Sequence, residues 1–136
     1  MAVGLTYDTG ALIAAESNVR GLWALHRRAL ERGLRPVVPA GVLAQAWRGG
    51  PQPQLSRLLK GCQIEDLTQV RARAAGAACG RAGSSDVVDA SVAVGAIARR
   101  DLVITGDVQD ITRLADALSA PLDVVAVGAV GGDPTG

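Results

Sequence analysis

The chain's 136 residues suffice for one domain around a single sizeable core, and a hydrophobic content of 49%, mostly Ala, Val and Leu, excludes a disordered polypeptide. Phe is absent and aromatic residues make up 2%, so the core is expected to be aliphatic, which argues against an aromatic platform for stacked bases. At a formal net charge of +1, any charged surface must come from segregation of acids and bases rather than from an overall excess.

In chain order, "AVGLTY" is a short apolar run ending at Asp8 and reads as a first strand. "TGALIAAES" follows with helical spacing of Leu12, Ile13 and Ala15. Asn18 is placed to cap a second helix, Asn18 to Arg32, with Leu22, Trp23, Leu25, Ala29 and Leu30 on its apolar side and Gly33 as its stop. Arg20, Arg27 and Arg28 fill much of its other side, and His26, the one histidine, is expected there, solvated. "RPVVP" is a brief second strand, and "AGVLAQAWR" a helix with Val42, Leu43, Ala46 and Trp47 on one side. "GGPQP" punctuates, Gln54 to Lys60 makes a short helix, and "CQIED" a third strand. Thr68 to Ala82 reads as a helix with Arg71, Arg73 and Arg81 outward. Ser85 is the expected cap of a helix from Asp86 to Arg99. "DLVITG" is a fourth strand, Val108 to Leu118 a helix and "PLDVVAV" a fifth strand. The domain is expected to span 1–128, with 129–136 a flexible C-terminal tail. Strands alternating with helices predict an α/β domain with a parallel sheet covered on both faces.

Cys62 and Cys79 form no CxxC pair, so a structural zinc site is excluded and two free, buried thiols are expected. The N-terminus lacks the basic stretch and apolar run of a signal peptide, and no apolar stretch reaches the ~20 residues of a membrane span. A cytoplasmic location without membrane attachment is the expectation. All but one of the 14 basic residues are Arg, Lys60 being the exception, which a GC-rich coding sequence would produce without any phosphate-binding role.

The acids stand out against this background. In open parallel sheets, ligands bind at the carboxyl ends of the strands, where the strand order reverses. Asp8 directly follows the first strand and Asp107 the fourth. Asp86 and Asp89, three residues apart, share a face at the start of a helix that runs into the fourth strand, so that helix begins at the same side of the sheet. Four carboxylates from three chain regions are therefore expected to converge. Each alone could be a helix cap or a favourable charge at a helix N-terminus. Together they would repel one another or recruit a cation. Oxygen donors without His or Cys select Mg²⁺ or Mn²⁺. With no nucleophile motif in the chain, such a cluster suits metal-activated water attacking a phosphodiester.

The four segments "TYDTGALIA", "VVPAGVLAQAWR", "SDVVDASVA" and "LVITGDVQDI" resemble PIN domains, and within them the VapC-like ribonuclease toxins of type II toxin–antitoxin systems. The likeness covers residues 3 to 127 in the family's order and spacing. It implies a three-layer α/β/α sandwich with a five-stranded parallel sheet, and Mg²⁺-dependent endonucleolytic cleavage of RNA. It further implies a homodimer and a cognate antitoxin bound across the acidic groove. Asp8, Asp89 and Asp107 match the family's metal-binding acids. Asp86 is a further acid of the "SDVVDA" form, and Thr105 the hydroxyl residue of the "TxD" turn. Asp110 reads as a helix N-terminal charge, and Arg48 either contacts phosphate or ends a helix in solvent. The family's remaining acid is a Glu where this chain has Gln45. That departure leaves a second reading, a PIN-like binding module with weakened or lost catalysis. A receiver-like phosphoacceptor is disfavoured because Lys60 precedes the third strand, and a haloacid-dehalogenase-like phosphatase because "DTGAL" is not "DxDxT".

Overall fold

Five short runs form the strands β1 (Gly4–Tyr7), β2 (Val37–Pro39), β3 (Gln63–Glu65), β4 (Asp101–Thr105) and β5 (Asp123–Ala126) in a computed structural model that describes residues 4–130. They make one sheet in the order β3-β2-β1-β4-β5, every neighbouring pair parallel. Chain order reverses between β1 and β4, whose register pairs Tyr7 with Ile104, so the carboxyl ends of these strands stand side by side.

The helices are α1 (Thr9–Glu16), α2 (Arg20–Glu31), α3 (Ala40–Ala46), α4 (Pro53–Leu59), α5 (Gln69–Ala82), α6 (Val87–Arg99) and α7 (Val108–Ala117). Alternate residues of a strand face opposite sides, and β1 uses both. The Tyr7 hydroxyl meets His26 of α2 on one face, and the Thr6 hydroxyl meets Arg99 of α6 on the other. The expected α/β/α layering follows. The main core packs Leu5, Tyr7, Leu12, Leu22, Val38, Leu58 and Ile104. A second, alanine-rich cluster joins α5, α6 and α7 through Ala75, Ala78, Ala90, Ala93 and Leu114. Small residues allow those three helices to approach closely, which a chain without Phe needs to fill its interior. Cys62 and Cys79 are free and buried, as expected. No helix among the described residues is long and apolar enough to cross a membrane.

Four local expectations are corrected. Asn18 does not cap α2. It takes a left-handed turn (φ 59°), and Val19 precedes the helix without a side-chain cap. Asp86, not Ser85, caps α6, because its carboxylate reaches the Asp89 N–H at 2.9 Å. His26 is buried rather than solvated, since the Tyr7 hydroxyl gives it an internal partner at 2.9 Å. Ordered packing also runs past residue 128: Val127–Ala129 form a 3-10 turn and Val130 is buried in the main core. Positions 131–136 of the expected tail lie outside the described residues.

Candidate active site

The sheet's carboxyl edge is built from three helix starts. Asp8, Asp86 and Asp107 each occupy the N-cap of the helix that follows, α1, α6 and α7. An acid suits that position because it satisfies an orphan N–H and meets the positive end of the helix dipole. Asp8 Oδ1 accepts from Ala11 N–H at 3.0 Å, and Asp107 Oδ1 from Asp110 N–H at 3.1 Å. The capping roles foreseen for single acids are thus real, and each of Asp86 and Asp107 spends one oxygen on them.

Asp8 is the most enclosed of the set, with the carboxylate also accepting from the Gly106 N–H at 3.1 and 3.2 Å and from the Thr105 hydroxyl. Thr105, fully buried, in turn accepts from the Asp107 N–H at 2.8 Å. One hydroxyl therefore ties the acid after β1 to the acid after β4. Two residues that sequence reasoning passed over make this possible. A Cβ on Gly10 would sit 2.6 Å from Gly106 Cα, so only glycine lets the two turns touch. The signal was available in "DTG" and "TGD", a glycine at each strand-to-helix turn beside an acid.

Gln45, on α3, accepts from the Thr9 hydroxyl at 2.5 Å, next to Asp8 in the chain. The position where the family carries Glu thus meets the residue that follows Asp8, and Thr9 is a partner missed from sequence. Arg48 lies otherwise. Its guanidinium donates to the Ala44 and Trp47 carbonyls, ending α3, and pairs with no acid among the described residues.

Electrostatics join these groups. Burial raises the pKa of Asp8, against the lowering effect of its hydrogen bonds. Asp89 is pushed up to about 7, first by burial, then by the charges of Asp86, Asp8 and Asp110. Asp110 is also raised, by a hydrogen bond shared with Asp107 and by the Asp107 charge, and it stands in the first turn of α7 as the helix N-terminal charge expected there. Arg113, 3.9 Å from Asp110, is the one cation paired with any of these acids among the described residues. No three acidic, His or Cys side chains among the described residues form a ready-made metal cage. Asp8, Asp86 and Asp107 each turn an oxygen to a helix N–H group, and charge coupling rather than a closed set of ligands links Asp89 to Asp86, Asp8 and Asp110. The donor set is nevertheless all oxygen, carries a large negative surplus and keeps unspent carboxylate oxygens, which is what a hard divalent cation requires.

Solved structures that share this fold include two that cover nearly the whole chain. One is VapBC2 from Rickettsia felis, crystallised with a DNA fragment from their promoter. It matches with a TM-score of 0.67 at 16% identity, over 91% of this chain and 98% of that one. The other is PAE2754 from Pyrobaculum aerophilum, with a TM-score of 0.62 at 17% identity, over 93% and 92%. No family model and no curated protein matches the sequence. At these identities the likeness is one of fold, the PIN-like fold that the sequence motifs implied.

Proposed function

We propose that the protein is a Mg²⁺-dependent endoribonuclease, the toxin of a type II toxin–antitoxin pair. The observation that supports this reading is the placement of Asp8 and Asp107 after the strands at the order reversal, with Asp89 raised to about 7 by burial first and then by the charges of Asp86, Asp8 and Asp110. Such a site is costly to the fold and is expected where chemistry needs it. Asp8, Asp89 and Asp107 would hold the cation, with Asp86 beside them; Mn²⁺ would substitute. When bound, the metal neutralises charge on the scissile phosphodiester and lowers the pKa of attacking water.

The chain's own residues do the rest. Thr105 fixes Asp8 and the Asp107 backbone in one frame. Gln45, held by Thr9, offers an amide beside Asp8 that can orient water or phosphate without adding charge. Without metal Asp89 keeps its proton up to about pH 7, so a cation held there would release that proton on binding. A cognate antitoxin would silence the site by placing an arginine among these carboxylates, whose planar geometry the guanidinium matches. A homodimer belongs to the same reading.

The direct test is cleavage of RNA by the purified chain in Mg²⁺, in excess EDTA, and after Asp8→Asn. Cleavage that EDTA and the substitution both abolish supports the proposal; full activity in EDTA overturns it. The second reading, a binding module, draws on Gln45 and on the absence of a ready-made cage among the described residues. It predicts neither cleavage nor a rise in melting temperature on adding Mg²⁺.

A further inference from the structure

A cleft of about 680 Å³ opens between α2 and Arg57 of α4, away from the acid cluster. Its size suits a small organic ligand, for which pockets of roughly 300–1,000 Å³ are usual. Trp23 and Leu30 form an apolar wall. The polar lining includes His26, Arg20, Arg27 and Arg57, with Glu31 as the single acid.

His26 decides what this lining offers. The residue is 3% exposed, yet its ring borders the cleft. The Tyr7 hydroxyl lies 2.9 Å from Nδ1 and has no other acceptor among the described residues. A buried hydroxyl proton must be accepted somewhere, so it goes to Nδ1. Burial lowers the pKa of His26, which keeps the ring neutral. A neutral ring that accepts at Nδ1 carries its proton on Nε2. That Nε2 has no partner among the described residues, and it is not sealed in: the one sealed, unpartnered side-chain atom is Gln54 Oε1. A Cβ on Gly61 would stand 3.0 Å from Nε2 and 3.0 Å from a Leu30 methyl, so the glycine keeps the space beside the ring free.

The arginines add to this donor. Arg57 sits over Trp23, its guanidinium carbon 4.2 Å from the ring centroid, and the indole is fixed by an N–H bond to the Ala15 carbonyl at 3.1 Å. Arg20, Arg27 and Arg57 form no ion pair among the described residues. A preset N–H, unpaired guanidinium forks and an aromatic wall fit a planar anion with a hydrocarbon body. We propose that this cleft is a second binding site, for a carboxylate carried on an apolar body. The carboxylate could arrive as a free organic acid or as an acidic side chain of a bound protein segment.

Because His26 is the only histidine, ¹⁵N-histidine labelling of the full chain reports on it without ambiguity. The free protein is expected to show the Nε2–H tautomer. Titration with 4-phenylbutyrate should move that signal saturably, and 4-phenylbutyramide should bind about tenfold more weakly for want of a charged partner. Arg57→Gln should weaken phenylbutyrate binding by about tenfold with an unchanged far-UV spectrum. Arg27→Gln serves if that variant fails to fold. A capped, glutamate-bearing amphipathic peptide separates the sources: saturation by the peptide alone supports a site that receives a protein segment. An Nδ1–H tautomer, equal binding of the amide, or no saturable shift with either probe overturns the proposal. None of these readouts uses RNA or a divalent cation, so they stand apart from the nuclease reading.

Discussion

Asp8 and Asp101 are equally buried, at 5% exposure each, and the fold treats them in opposite ways. Asp101, at the amino end of β4, accepts from Arg99 Nε at 2.9 Å and from the Thr6 hydroxyl at 2.7 Å. Arg99 also reaches Glu65, which Arg71 approaches to 3.6 Å. Gly95 leaves room for this contact, since a Cβ there would stand 3.0 Å from Glu65 Oε1 and 3.1 Å from the guanidinium. Every buried charge in that network meets its opposite. Asp8 receives only neutral donors, and the acids around it are Asp86, Asp89, Asp107 and Asp110. A single helix, α6, carries one arrangement at each end, Asp86 and Asp89 at its start and Arg99 at its finish. The chain has the means to neutralise a buried acid and withholds them at one edge of the sheet. Unpaired charge retained there is stability given up, as at sites that serve chemistry.

The contrast can be broken most sharply at Asp89. Asp89→Asn should cut RNA cleavage by about two orders of magnitude, because a carboxylate that would hold the cation is lost. In EDTA the same variant should melt a few degrees higher, by about 3–6 °C, because burial and repulsion no longer oppose it. A variant that is both less active and less stable would place Asp89 with the structural charges instead. At the paired end the expectation reverses. Arg99→Met should cost about 3 kcal/mol in urea unfolding, because Asp101 and Glu65 lose their shared partner. Its melting temperature should still rise with Mg²⁺ as much as the parent chain's, because the carboxylates at the other edge are untouched.

Gln45→Glu sharpens the comparison from the other side. An added carboxylate beside Asp8 should raise Mg²⁺ affinity by up to about tenfold in a calorimetric titration. It should also lower the metal-free melting temperature slightly. Unchanged affinity would mean that this position does not face the cation.

The smallest effect is the pH dependence of stability without metal. Asp89 titrates at about 7 when folded and near 3.8 when unfolded. The folded state therefore holds the extra proton between those values, and stability falls as pH rises towards 7. His26 acts oppositely. Its folded pKa is below 6.5, so acidification through 6.5 charges the unfolded chain first and stability falls with falling pH. Asp89→Asn should remove the first slope and keep the second, as read by thermal melts between pH 5 and pH 8 in EDTA.

Much of this was legible in the residues. The five strands and seven helices appear within a residue or two of their patterns, because apolar periodicity and glycine or proline punctuation are local properties. The acids were legible too, since a strand-to-helix turn fixes which end of a parallel sheet they reach. Asn18 and Ser85 misled because a capping residue type fits several adjacent positions, and local strain and neighbouring bonds choose among them. His26 misled because its helix looks polar at that position, and nothing in the sequence says that Tyr7 lies across from it.

By itself, then, the order of residues determined the α/β class, the strand succession and the identity of the acidic residues at the sheet's edge. Those follow from short-range spacing and from one topological rule. What only the tertiary structure decided are the partnerships: Thr105 with Asp8, Thr9 with Gln45, Arg99 with Glu65 and Asp101, Tyr7 with His26. Each joins residues far apart in the chain, and each sets whether a buried polar group is satisfied or left with charge to spend. That difference depends on a few ångströms of three-dimensional packing, and no periodicity records it.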